Sequence, residues 1–241
     1  MANNINILLP IAGHGSRFSS VGYELPKPLI QVEDKIIVEK SLDSIEYSGC
    51  NLIFIVRQEH IVKYQIDEQL KNKFGNDIDI ISIEKDTDGA ICSCLLAEDL
   101  IDSEDSLVIF TPDCYFEPKF NPHEAKNTDL DGVVAVFKSD SDAHSYVILD
   151  ENGHVTKAAE KDVISTNAVG GMYYFKKGSD FVRNAKRMVE QSQKVKGEYY
   201  ICPVYNLLIE EFDAKIGIDV NSRHVVLGTP EGLESYLRGE Q

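Results

Sequence analysis

Ile5-Asn6-Ile7-Leu8-Leu9-Pro10-Ile11-Ala12 runs straight into Gly13-His14-Gly15-Ser16-Arg17. The first stretch is almost continuously apolar, which is the texture of a strand buried on both faces, as in a parallel sheet. Gly13 to Pro28 is rich in Gly, Ser and Pro and reads as a loop. Asn51–Val56, Ile78–Ile83 and Ser106–Thr111 repeat the strand texture. Between them, Val38–Ile45 has helical spacing, and Glu59–Phe74 reads as one amphipathic helix through Ile61, Tyr64, Ile66 and Leu70. Asp88 and Gly89 open a further helix that runs to Ala97. Strand alternating with helix implies a parallel sheet wound with right-handed crossovers. Ligands in such sheets sit at the carboxyl ends of the strands. Here those ends are Gly13–Arg17, Asp86–Gly89 and Pro112–Asp113, so the three most unusual segments of the first half are expected on one edge.

After residue 130 the pattern changes. Val133–Phe137, Tyr146–Leu149, Val155–Ala159 and Val169–Phe175 read as strands, with a hairpin turn at Asp150–Gly153. Phe181–Gln191 and Tyr200–Phe212 read as helices, Ile216–Ile218 and His224–Leu227 as short strands, and a last helix follows Pro230. No linker of domain type interrupts the chain. The expectation is one α/β domain over 1–241, a three-layer α/β/α arrangement around a mixed but mostly parallel central sheet.

Composition narrows the function. The chain has 241 residues, with 40 Asp and Glu against 24 Lys and Arg, a net charge of -16. Non-specific nucleic-acid binding needs a basic face that displaces counterions, and docking on an anionic membrane needs the same sign of charge. Neither partner is expected. A small anion remains compatible, because a few cations in one pocket outweigh a diffuse and salt-screened surface charge. The five cysteines are odd in number and contain no CxxC pair, which points to a reducing cytosol rather than a disulfide framework or zinc site. The Met1-Ala2-Asn3-Asn4 start lacks a basic region, and no apolar run is long enough to span a bilayer.

The loop after the first strand carries phosphate chemistry. Gly13 and Gly15 let backbone NH groups approach phosphate oxygens, Arg17 can fork onto them, and Lys27 can add a second positive point. The dinucleotide fingerprint would require Gly at position 18, where Phe18 stands, and the Gly-Lys-Ser/Thr of the other common phosphate loop is absent. Alone, the segment reads equally well as a strand-to-helix turn with a surface Arg.

It is not alone. Leu8–Phe18 together with Leu25-Pro26-Lys27-Pro28-Leu29-Ile30 resembles the signature of the sugar-1-phosphate nucleotidyltransferases, the nucleoside-diphosphate-sugar pyrophosphorylases. Thr87-Asp88-Gly89-Ala90 resembles their base-contacting loop, and Ile109–Asp113 the strand that ends in a metal-binding Asp. Further segments follow in the family's order: Ala159-Glu160-Lys161, Asn167–Tyr173, Glu198–Ile201 and Leu227–Glu231. The resemblance implies a Rossmann-like nucleotidyltransferase fold, with 1–125 as the nucleotide-binding half and 126–241 as the acceptor-binding half. It implies transfer of a nucleoside monophosphate from a triphosphate to a sugar-1-phosphate or similar polyol phosphate, with release of pyrophosphate. Such products supply surface-polysaccharide assembly, and a homo-oligomer is a further expectation.

By the same resemblance, Arg17, Lys27 and Asp113 are catalytic, and Asp113 holds Mg2+. Ala12, Gly13, Gly15, Ser16, Glu84 and Gly89 bind the nucleotide. Glu160, Lys161, Asn167, Gly171 and Glu198 bind the acceptor. These residue types suit the reaction, because two mutually repelling anions must be neutralised and positioned.

Three departures stand out. Many members carry an Asp as a second metal carboxylate where this chain has Val226; Asp219 is the nearest substitute in sequence. Thymidylyl and uridylyl enzymes often place Gln where Glu84 stands, and a carboxylate there suits an edge rich in NH donors, cytosine first. Ser145 and Tyr146 replace the usual region of a sugar-approaching Gly, suggesting a smaller or non-hexose acceptor. Two alternatives follow. One is a nucleotide-sugar sensor that no longer turns over, motivated by Val226. The other is a glycosyltransferase, which the missing Asp-x-Asp in Asp113-Cys114-Tyr115 opposes.

Overall fold

The computed structural model describes residues 4–240, so the Met1–Asn3 part of the leader reading lies outside it. The strands in chain order are β1 (Ile5–Pro10), β2 (Gln31–Val32), β3 (Lys35–Ile36), β4 (Asn51–Arg57), β5 (Asp79–Ile83), β6 (Ser106–Phe110) and β7 (Cys114–Glu117). They continue as β8 (Gly132–Lys138), β9 (Ser145–Leu149), β10 (Val155–Glu160), β11 (Asn167–Phe175), β12 (Ile216–Val220) and β13 (Arg223–Val226). Nine of these form one sheet in the order β10-β9-β11-β6-β1-β4-β5, with β8 also on β11 and β12 on β8.

β1 lies inside this sheet, parallel to β4 on one side and to β6 on the other, and β5 extends the parallel run beyond β4. From β11 onward the pairing turns antiparallel, apart from the parallel β8/β12 pair. The apolar run of β1 feeds both faces by simple alternation. Leu8 joins one core with Ile53, Ile109, Phe181, Ala185 and Leu208, beneath the helices Gly178–Glu190 and Val204–Phe212. Ile7 and Leu9 join the other with Phe54, Val108, Val38 and Leu70, against the helices Ile37–Leu42 and Ile66–Phe74. Each fully buried aliphatic side chain contributes about 1.5–3 kcal/mol of transfer free energy. Two such layers on one sheet give the α/β/α arrangement.

Some boundaries differ from those read in the sequence. Glu59–Phe74 is two helices, Gln58–Tyr64 and Ile66–Phe74, because Gln65 adopts the left-handed conformation at φ 52°. The break redirects the chain so that Ile66 and Leu70 are both fully buried. The helix expected from Tyr200 starts at Val204 instead, after Pro203. Tyr200 is thereby freed to line a cleft. β7 carries too little apolar patterning to be read in advance; it pairs antiparallel with β13, Cys114 opposite Val226. Cys114 is buried and Cys92 is half-buried. Among the described residues no helix is long and apolar enough to cross a membrane.

Candidate active site

The loop after β1 is anchored by Phe18, which is buried against Tyr23 with ring centroids 5.1 Å apart. That burial turns the other face of the one-turn helix Ser16–Ser19 outward, and Arg17 from it lines a cleft of about 440 Å³. Pro26 leads into a 3-10 turn that begins at Lys27. Its ammonium lies 3.7 Å from a carboxylate oxygen of Asp113. Gly15 backs this lysine: a Cβ there would stand 3.2 Å from the Lys27 Cβ.

Asp113 follows β6 and is clamped from two sides. Its amide donates to the Thr111 carbonyl and its own carbonyl accepts from the Leu227 amide, both at 2.8 Å. Gly228 makes this approach possible, because a Cβ there would meet the Asp113 Cβ at 2.6 Å. The Leu227–Glu231 segment thus serves as a backrest for the acid, with Val226 also lining the cleft.

The opposite wall comes from the second half of the chain. Glu160, at the end of β10, accepts a hydrogen bond from Ser145 on β9, and both line the cleft together with Gly171. Burial pushes the Glu160 carboxyl upward, against the opposing pull of the Ser145 hydroxyl. Lys161 donates to the Tyr200 hydroxyl, which raises its ammonium above the ordinary value, and Tyr200 is itself on the wall. His144 and His224 complete this end. His224 stacks on Phe137 with centroids 3.8 Å apart, and burial pushes its imidazole down to about 4, with His144 adding to the effect. At neutral pH it is an uncharged ring.

A second cavity of about 400 Å³ adjoins the first and shares Ala90 and Thr111 with it. Ala12, Gly13 and Glu198 line it, as do Arg57 and Asp86. Arg57 ends β4. Its Nη1 donates to the Asp86 Oδ1 at 2.6 Å and to the Ala12 carbonyl at 3.2 Å. His14 Nε2 stands 2.8 and 2.9 Å from the two oxygens of Asp86. These two neighbours hold the Asp86 carboxyl below the usual carboxylate range, His14 first. Gly89 ties this loop to the second half: it bridges to Tyr199 in parallel, and a Cβ there would meet the Tyr199 backbone N and O at 2.5 Å.

Of the residues singled out in the sequence, Arg17, Asp113, Glu160 and Gly171 meet in the first cleft, with Lys27 and Lys161 reaching it through Asp113 and Tyr200. Ala12, Gly13 and Glu198 meet in the second; Glu198, expected on the acceptor side, lies here instead. Others are not brought in. Ser16 is exposed and lines neither cavity, and Glu84 is exposed outside both. Asn167 accepts from Lys138 at 2.8 Å, also outside both. Tyr146 is fully buried, with its hydroxyl on the Ser141 carbonyl, so it does not face an acceptor.

Sequence reasoning missed Arg57, His144 and His224, and it had Asp86, Thr111 and Tyr200 only as members of segments, with no role of their own. For Arg57 a signal existed, a cation ending an otherwise apolar strand.

Asp113 is a hard oxygen donor, 47% exposed, at the meeting of the two walls. Asp219 does not join it: that carboxyl is half-buried on β12 beside Asn221, outside the cleft. Among the described residues no group of three or more His, Cys, Asp or Glu is placed to hold a metal by itself. One accessible carboxylate fits an ion that keeps its waters and arrives on substrate phosphates, which is the habit of Mg2+.

A family model described as nucleotidyl transferase matches residues 6–211. The chain is similar to the mannose-1-phosphate guanylyltransferase catalytic subunit beta of Drosophila pseudoobscura pseudoobscura, and to that of Drosophila melanogaster. Each is 25% identical over 187 residues, covering 73% of this chain and 49% of the relative. The chain therefore spans about half the length of the curated relatives it matches. Among solved structures it resembles the nucleoside-diphosphate-sugar pyrophosphorylase of Vibrio cholerae RC9, with a TM-score of 0.83 and 25% identity over 96% of this chain and 99% of that one. It shares its fold with the inositol-1-phosphate CTP transferase of T. maritima, with a TM-score of 0.74 and 16% identity over 100% and 96% of the two chains.

Proposed function

The chain belongs to the nucleotidyl transferase family, and on that premise we propose that it transfers a nucleoside monophosphate from a triphosphate to a phosphorylated sugar or polyol. An oxygen of the acceptor phosphate attacks the α-phosphorus. The bond from that phosphorus to the bridging oxygen breaks, and pyrophosphate leaves with the electron pair. The observation that carries this reading is the Lys27–Asp113 pair at 3.7 Å, bordering a cleft with Arg17 on one side and Glu160 on the other.

Arg17 and Lys27 neutralise the triphosphate, Arg17 at its departing end. Asp113 is the carboxylate that would hold Mg2+, and the ion supplies further charge neutralisation on the phosphates when bound. Lys161, steadied by Tyr200, receives the acceptor phosphate. Glu160 accepts hydrogen bonds from acceptor hydroxyls. Placing like charges together is the main barrier here, so positioning and neutralisation carry the rate. The two halves act as one domain around this cleft. The five free cysteines suit a cytosolic setting, with the product feeding surface-polysaccharide assembly.

A second reading, binding without turnover, is favoured by one observation: Val226 lines the cleft where relatives often place an acid. Pyrophosphate release separates the two. With a triphosphate, Mg2+ and a panel of sugar and polyol phosphates, release is expected for at least one acceptor. Lys161→Ala is expected to raise the KM for that acceptor by about tenfold or more. No release across the panel, combined with tight binding of a nucleotide sugar, favours the binding-only reading. An unchanged acceptor KM in the variant removes Lys161 from the acceptor site.

A further inference from the structure

The second cavity holds a charged arrangement that the transfer chemistry does not use. It lies at the carboxyl ends of β1, β4 and β5, on the far side of Ala90 and Thr111 from Asp113. Gly13 lines it, and Arg17, four residues further on, lines the first cleft. On the nucleotidyl-transfer reading, a nucleotide with its phosphates at Arg17 and Lys27 has this adjoining cavity, entered past Gly13, as the space open to its base.

Two carboxylate residues line that space, Asp86 and Glu198. The hydroxyls that could read a base are engaged with one another: Thr87 Oγ1 and Ser93 Oγ are 2.7 Å apart, and Thr87 also donates to the Gly89 carbonyl. Asp86 differs from them. Its side chain is 65% exposed, yet its orientation is set by Arg57, whose side chain is only 10% exposed, and by His14 across both oxygens. Arg57 is in turn held by the Ala12 carbonyl. A carboxylate fixed in this way lines the cavity, with Oδ1 taken by Arg57 and His14 and Oδ2 contacted by His14 alone, which leaves that oxygen room to accept from a ligand. Glu84, by contrast, is exposed outside it.

We propose that Asp86, fixed by Arg57 and His14, reads the nucleobase and selects one with an exocyclic amino group (adenine, cytosine or guanine) over uracil and thymine. The reason is the inventory of donors. An ionised carboxylate only accepts hydrogen bonds. Uracil and thymine present an NH flanked by two carbonyl oxygens, so a carboxylate drawn to the NH is repelled on both sides. The other three bases each offer an amino group on that edge, and guanine adds a ring NH beside it. The inference rests on the nucleotidyl-transfer reading of the same site.

The test is equilibrium binding of the full chain to ATP, CTP, GTP, UTP and dTTP with Mg2+ at one ionic strength. At least one amino-bearing triphosphate is expected to bind about tenfold or more tightly than UTP and dTTP, and the five titrations say which base it is. Asp86→Asn, whose carboxamide donates as well as accepts, is expected to bring that ratio within about threefold. Glu84→Gln is expected to leave it unchanged.

Tightest binding of UTP or dTTP by the unaltered chain overturns the inference, whatever the variants do, and leaves nucleotidyl transfer standing. So does an equal loss for all five in Asp86→Asn, which would mean that Asp86 only braces the loops. A ratio that moves with Glu84→Gln and not with Asp86→Asn overturns it as well. Failure of every triphosphate to bind overturns both this inference and the reading beneath it.

Discussion

The two cavities share a wall and are built from opposite materials. The one beside the first loop is drawn together by ions: Arg57, Asp86 and His14 link the ends of three segments through side chains. The other is walled at one end by rings and by glycine, beside Glu160: His224 stacked on Phe137, His144 edge-on to the same ring, and Gly170 and Gly171 in the wall between. The ion cluster fixes the loop ends against one another through charge, while the rings and glycines shape their wall by packing, with Glu160 as the charged group beside them. Ala90 and Thr111 form the shared wall, and Asp113 stands in the cavity lined by Arg17 and Glu160. The chain is strongly negative, with a net charge of -16, yet Arg17, Lys27 and Arg57 gather at these two cavities, where a local cluster of cations outweighs a diffuse, salt-screened charge.

The sharpest way to break this comparison is at the carboxylate of the Glu160-lined cavity. Asp113→Asn removes the charge but little volume, and at saturating substrates it is expected to slow pyrophosphate release by about 10²–10³-fold. With the side chain 47% exposed, the melting temperature should hardly move. An unchanged rate would place the chemistry elsewhere.

The seam between the halves is tested next by Gly89→Ala. At φ 119°, with the Tyr199 backbone 2.5 Å from the new Cβ, the substitution should cost about 1–3 kcal/mol in urea unfolding. A variant with the original midpoint would show that the bridge to Tyr199 is dispensable.

The smallest effect sharpens the neutral end. The His224 imidazole is pushed from its ordinary 6.5 down to about 4. Between those values the unfolded chain binds a proton that the folded one refuses, so stability falls as pH drops through that window. His224→Gln should flatten the decline in unfolding free energy from pH 6.5 to 4. A decline as steep as before would assign the acid sensitivity to other groups.

What the sequence determined by itself was the architecture of the first half and the identity of most of the charged residues in the cleft. The runs at Ile5–Ala12, Asn51–Val56 and Ser106–Thr111 had the texture of strands buried on both faces, which puts their carboxyl ends on one edge, and all three are strands of one sheet. Arg17, Lys27 and Asp113 were legible only because their segments resemble a known family in the right order; the first loop by itself read equally well as a turn with a surface Arg. Tertiary structure alone decided the partners. Nothing in the spacing of residues 84 to 86 says that Asp86, rather than Glu84, enters a cavity; that depends on Arg57 and His14, 29 and 72 residues away in sequence. The separate helices around Gln65, the pairing of β7 with β13, and the recruitment of Tyr200 have the same origin. Periodicity records which face of an element is buried, since burial repeats along the chain. A polar contact between distant segments leaves no period, and it exists only once the packing of the sheet has set the distance.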